Sequence, residues 1–129
     1  MPTDAKTHWL MVSSATVLAV IGIALSYLPR ECLTLAGAEA SPRVVVLAQL
    51  TGAMALAWAI LDWMSRGQRI GGIYNRPLAL ANWLHFLMAS LALVKMTTPD
   101  GFGALEVAVV VPYAVLTIWW AVALFTSPV

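Results

Sequence analysis

Four apolar runs of about twenty residues each dominate this sequence, and ten of its thirteen charged residues lie outside them. The runs cover residues 9–28, 44–64, 78–96 and 105–125. The first carries no charge. The second has Asp62 near its end, the third Lys95 in its last turn, and the fourth Glu106 in its first turn. A hydrocarbon core of ~30 Å takes ~20 apolar residues of α-helix at 1.5 Å each. Apolarity is continuous in every run rather than alternating, and four strands could not close a barrel, so helices are the only spanning form that fits. Prolines stand at or just before the second and third runs (Pro42, Pro77), where a missing N–H costs a helix nothing.

Composition agrees. The chain has 129 residues, 61% of them apolar and 10% charged, against ~45–50% and ~25% in water-soluble domains. A globule this small buries too little of its surface to hide the excess from water. The length is that of one domain, 1–129. A net charge of +1 gives no electrostatic footprint for a nucleic-acid partner. One cysteine, Cys32, excludes an internal disulfide and a thiolate-only metal site within one chain. The first run ends at Tyr27-Leu28-Pro29-Arg30 rather than at a small-residue cleavage pattern, and reads as a retained helix.

Loop charges set the direction. Residues 65–77 hold Arg66, Arg69 and Arg76 and no acid. The first loop balances Arg30 and Arg43 against Glu31 and Glu39, and the third sets Lys95 against Asp100 and Glu106. Short loops rich in Lys and Arg stay in the cytoplasm. The expected fold is therefore an all-α, four-helix transmembrane bundle, antiparallel and up-down, with N- and C-termini cytoplasmic. All six tryptophans (Trp9, Trp58, Trp63, Trp83, Trp119 and Trp120) then fall in the cytoplasmic half. They read as a one-sided interfacial belt, or in part as the lining of a cavity open to that leaflet.

Lipid gives helices no hydrophobic reward for associating, so small residues must let backbones approach. The first helix offers Ala15, Ala19, Gly22 and Ser26 on one face. The second offers Ala53 with Ala57 and Ala55 with Ala59, enough for two neighbours. Pro112 removes a hydrogen bond to Ala108 inside the fourth helix, where a bend is expected. The first loop, with Cys32-Leu-Thr-Leu-Ala-Gly, is too apolar for a plain linker. It predicts a short helix or turn on the outer surface, with Cys32 as an inert small hydrophobe.

Ionisable and polar side chains inside spans are costly and mark candidate sites. Asp62, Asn82 and His85 fall in the cytoplasmic half, near Trp58 and Trp83. Arg66, Arg69, Tyr74 and Arg76 belong to the adjoining loop. These nine residues form the candidate ligand- or partner-binding set, with Asp62, Asn82 and His85 expected to face the interior and meet. The plainer alternatives are Asp62 snorkelling to pair with Arg66, Asn82 joining two helices, and His85 as a satisfied interior side chain. A haem would want two histidines, but His8 lies at the interface and His85 roughly 10 Å deeper. No cofactor is predicted. The loop glycines Gly71 and Gly72 with flanking arginines would suit an anionic headgroup, or serve only to hold the loop inside. They are no P-loop, lacking Gly-Lys-Ser/Thr and a preceding strand. No acid pair, metal cluster or nucleophile–base spacing makes a case for an enzyme, so no catalytic or metal-binding residue is assigned.

The small-residue first helix ending in Leu28-Pro29, the Leu50-Thr-Gly-Ala segment, Arg76-Pro-Leu and Asn82-Trp-Leu-His85 together resemble the small four-helix bacterial membrane proteins that include the DoxX-like group. The resemblance spans most of the chain through short motifs. It implies a multi-pass protein of the bacterial inner membrane, with redox partners or membrane-protein assembly among the roles of relatives, and it transfers no catalytic residue. The leading functional expectation is an accessory or assembly subunit whose partners are lipids, other membrane proteins or further copies of itself. The alternatives are a carrier for a lipid, quinone or similar amphipathic molecule, and a membrane enzyme using Asp62 and His85.

Overall fold

The computed structural model describes residues 5–70, 75–96, 101 and 103–126. They form five helices and, among the described residues, no strand: α1 (Ala5–Tyr27), α2 (Pro29–Leu35), α3 (Pro42–Ser65), α4 (Arg76–Lys95) and α5 (Ala104–Thr126). The four longer helices are each long and apolar enough to cross a membrane. At 1.5 Å per residue they reach roughly 30–36 Å. They are the four runs read from the sequence, each shifted by a few residues at its ends, and they suggest a multi-pass membrane protein.

Local chemistry accounts for most of the shifts. α3 starts at Pro42 rather than at residue 44, because Ser41 caps it by accepting from the Val44 N–H at 3.4 Å and Pro42 takes a position that needs no donor. α4 likewise takes in Arg76 and Pro77. Asn75 precedes it and donates from Nδ2 to the Arg69 carbonyl at 2.8 Å, tying the helix start back to the loop.

The first loop does hold a short helix, α2, as its apolar sequence predicts. Pro29 opens it, and Leu28 joins it to α1 by donating to the Ala24 carbonyl while accepting from the Cys32 N–H. Gly37 ends it. The Gly37 N–H reaches the Thr34 carbonyl and the Ala38 N–H reaches Leu33, a closure that places residue 37 at φ +71°. That left-handed conformation is cheap only for glycine.

The chain divides into two compact units, Met11–Arg66 on one side and Met1–Leu10 with Gly67–Val129 on the other. In the first unit α1 and α3 run antiparallel in near backbone contact. A Cβ placed on Gly22 would lie 2.8 Å from the Leu56 nitrogen and 2.9 Å from the Gly52 oxygen. One placed on Gly52 would lie 2.8 Å from the Ser26 nitrogen. The predicted face of Ala15, Ala19, Gly22 and Ser26 is thus the contact face. Its counterpart on α3 is Gly52, which is buried together with Ala55 and Ala59, whereas Ala53 and Ala57 are exposed. In the second unit α4 and α5 also run antiparallel. Trp83 meets Phe125 edge to face at 5.5 Å between ring centroids, and the Ser90 and Thr117 hydroxyls lie 3.1 Å apart.

Each long helix buries one stripe at helical spacing. On α1 it includes Met11, Ser14, Ala15 and Leu18; on α3 Val45, Gly52, Ala55, Ala59, Asp62 and Ser65; on α4 Ala79, Asn82, Phe86 and Ser90; and on α5 Tyr113, Leu116, Trp120 and Leu124. The remaining faces expose large apolar side chains such as Met54, Ile60, Leu91 and Ile118. Polar residues inside and Leu, Ile and Met outside are the arrangement lipid favours. Threonines off the stripes fit the same solvent. Thr16 and Thr51 are exposed, and each donates its hydroxyl to the carbonyl four residues back at 2.8 Å, so neither needs water.

Candidate functional site

Asp62 lies on the buried stripe of α3 and is fully buried. It is one of two acids in the long spans, and the other, Glu106, sits in the first turn of α5. Snorkelling to the surface therefore does not describe Asp62. Four residues on, Arg66 caps α3. Its guanidinium packs over the Trp63 ring at 4.1 Å from the centroid, and Nη1 donates to the Trp63 carbonyl at 2.5 Å. Trp58, on the same helix, is half-buried.

The other predicted residues belong to the second unit. Asn82 is fully buried on α4, and its Nδ2 donates to the Leu78 carbonyl one turn back at 3.2 Å. The His85 ring is half-buried and packs against Phe86 at 5.2 Å and Tyr113 at 5.9 Å between centroids, while Phe86 and Tyr113 meet at 5.1 Å. Its Nε2 is buried with no hydrogen-bond partner among the described residues. The satisfied interior side chain that the sequence allowed as one reading is not seen at Nε2, where the ring packs among aromatic neighbours instead. Trp83 supports the α4–α5 contact through Phe125.

Of the loop residues, Arg69 supplies the carbonyl that holds Asn75, and Arg76 is the first residue of α4. Tyr74, Gly71 and Gly72 lie outside the described residues. By unit, Asp62, Trp58 and Arg66 belong to the first and Asn82, Trp83, His85, Arg69 and Arg76 to the second. Among the described residues no three His, Cys, Asp or Glu side chains are grouped to hold a metal ion.

Two features escaped the sequence reading. Tyr113 completes the aromatic cluster around His85, and Trp120 is fully buried on the α5 stripe. The spacing of Tyr113, Leu116, Trp120 and Leu124 in steps of three and four carries the signal for both, but every face of α5 is apolar, so no contrast picks out that stripe. Comparison with protein-family models, curated proteins and solved structures finds no match to this chain.

Proposed function

We propose that this chain is a small accessory or assembly subunit of a larger membrane-protein complex, with the loop after α3 and both termini in the cytoplasm. The observation that carries this reading is the outward face of α3. Ala53 and Ala57, one turn apart, are exposed there among Leu50, Ile60 and Met64. The stripe holding Gly52 and Asp62 is already engaged elsewhere on the same helix. A helix that meets one neighbour through glycine and presents a second line of small residues to the membrane is suited to a second helix. The arginines Arg66, Arg69 and Arg76, in a segment 65–77 that contains no acidic residue, support the orientation, and the short connecting segments leave the helix faces as the main binding surface.

Two experiments test the reading. A cytoplasmic reporter fused after residue 129 should be active and one inserted at residues 101–103 inactive; the reverse pattern would overturn the orientation. Affinity purification in mild detergent should recover a membrane protein with the wild-type chain and lose it with Ala57→Leu, while the variant itself stays folded. Recovery indifferent to Ala57→Leu, or a chain that always migrates alone, would sink the subunit reading.

A further inference from the structure

α1 and α3 touch at Gly22 and Gly52, and toward the Arg66 end of the pair a groove of about 380 Å³ opens between them. Ala15, Ala19 and Thr16 line it from α1, and Leu56, Ala59 and Trp63 from α3. The volume falls at the small end of the ~300–1,000 Å³ range of ligand clefts. Its lining is almost wholly apolar, and the Thr16 hydroxyl is turned onto the Val12 carbonyl. From Trp63 to Leu56 the groove runs about 10 Å along α3 at 1.5 Å per residue. It therefore starts where the span ends and stops near the span's middle, where the glycine contact closes it. That is about two-thirds of the ~15 Å depth of one leaflet's hydrocarbon. At the open end the Arg66 guanidinium sits over the half-exposed Trp63 indole, 4.1 Å from the ring centroid, with Nη1 on the Trp63 carbonyl, and Arg69 follows three residues later in sequence.

We propose that this groove holds one acyl chain of an anionic phospholipid, whose headgroup phosphate is met by Arg66 beside Trp63. Charge and depth select the occupant. A partner helix would need no cation at the rim, and a zwitterionic lipid, whose phosphate is offset by its own headgroup cation, would gain less from it than an anionic one. Guanidinium binds phosphate through paired N–H donors, and an indole is at home at the headgroup level. The small side chains Ala15, Ala19 and Ala59 leave the space that the chain fills. This site goes beyond the subunit role and does not depend on it.

The test uses the full chain reconstituted in phosphatidylcholine vesicles with a trace of spin-labelled phosphatidylglycerol or spin-labelled phosphatidylcholine. The motionally restricted fraction of each probe is read by electron paramagnetic resonance. Wild type should restrict the glycerol lipid more strongly. Arg66→Gln should cut that preference about fivefold, the effect of one basic side chain at a membrane surface. Arg69→Gln should cut it much less. Ala19→Leu, which fills the groove from α1, should lower the restricted fraction of both probes, and Thr16→Leu provides a second filling variant should Ala19→Leu fail to insert. Equal restriction of the two probes in wild type would overturn the proposal. So would a preference lost equally in Arg66→Gln and Arg69→Gln, which would mark a diffuse basic surface. A groove occupied by a second copy, seen as a cross-linked dimer that the filling variants abolish while lipid restriction is unchanged, would overturn it as well.

Discussion

The two helix pairs of this protein solve the same problem in opposite ways. α1 and α3 come together by removing side chains, since at Gly22 and Gly52 a single added carbon would strike the other helix's backbone. α4 and α5 come together by adding them, with Trp83 on Phe125, Phe86 on Tyr113, and Ser90 beside Thr117. In lipid neither pair gains from escaping water, so each must draw on packing and on polar contacts. The glycine pair gains close backbone packing and tolerates no increase in volume. The aromatic pair gains dispersion over large surfaces and should yield gradually. The difference also decides where space remains. The glycine contact holds α1 and α3 together at one level and leaves a groove beyond it.

The largest expected effect is at the glycines. Gly22→Leu or Gly52→Leu must push backbone against backbone, and neither Leu56 N nor Ser26 N can move aside as a flexible side-chain tip would. The loss should reach or exceed the ~1–3 kcal/mol typical of overpacking, read as unfolding in mixed micelles. An unchanged midpoint would mean that these helices part without cost, and the contrast between the pairs would fail.

Phe86→Ala comes next. In water-soluble cores such a truncation costs ~3–5 kcal/mol, part of it transfer from water, which is missing when the alternative is lipid. A smaller loss is expected here, below that of Gly22→Leu in the same assay. A larger one would invert the ranking and make α4–α5 the stability-determining pair.

The serines give the finest comparison. Ser90 Oγ has a partner in Thr117, so Ser90→Ala should cost ~0.6 kcal/mol, the average for such bonds between membrane helices. Ser26 Oγ is buried at the α1–α3 contact with no hydrogen-bond partner among the described residues. There serine serves by its size, and Ser26→Ala should be neutral or slightly stabilising. Equal losses at both positions would show that Ser26 has a polar role.

Much of this was legible in the sequence. Length and apolarity fixed the four spans, and the small-residue face of α1 was visible because four small residues repeat at helical spacing. Gly52 was missed as its counterpart, although Gly22 and Gly52 are the only glycines within the four long helices. With alanines on several faces of α3, spacing alone could not choose between Ala53 with Ala57 and Ala55 with Ala59. The helix starts moved because Ser41 and Asn75 act one residue before a proline or an arginine that hydropathy counts as loop. The burial of Asp62 and Asn82 followed from the cost of polar groups in lipid. The groove did not follow, because its width depends on how two helices part beyond their contact, and no residue pattern encodes that distance.

The central claim is that each long helix turns one stripe inward and leaves its other faces to the membrane. A nitroxide scan of α3 measures this most directly. In a Cys32→Ser background, single cysteines from residue 50 to 64 are spin-labelled in vesicles, and collision rates with oxygen and with a water-soluble nickel reagent are compared. Oxygen accessibility should rise at Leu50, Ala53, Ala57, Ile60 and Met64 and fall at Gly52, Ala55, Ala59 and Asp62, with a period of ~3.6 residues, while the nickel reagent stays excluded around residue 54. Flat accessibility to oxygen, or nickel access throughout the segment, would contradict a membrane-spanning helix with one buried stripe.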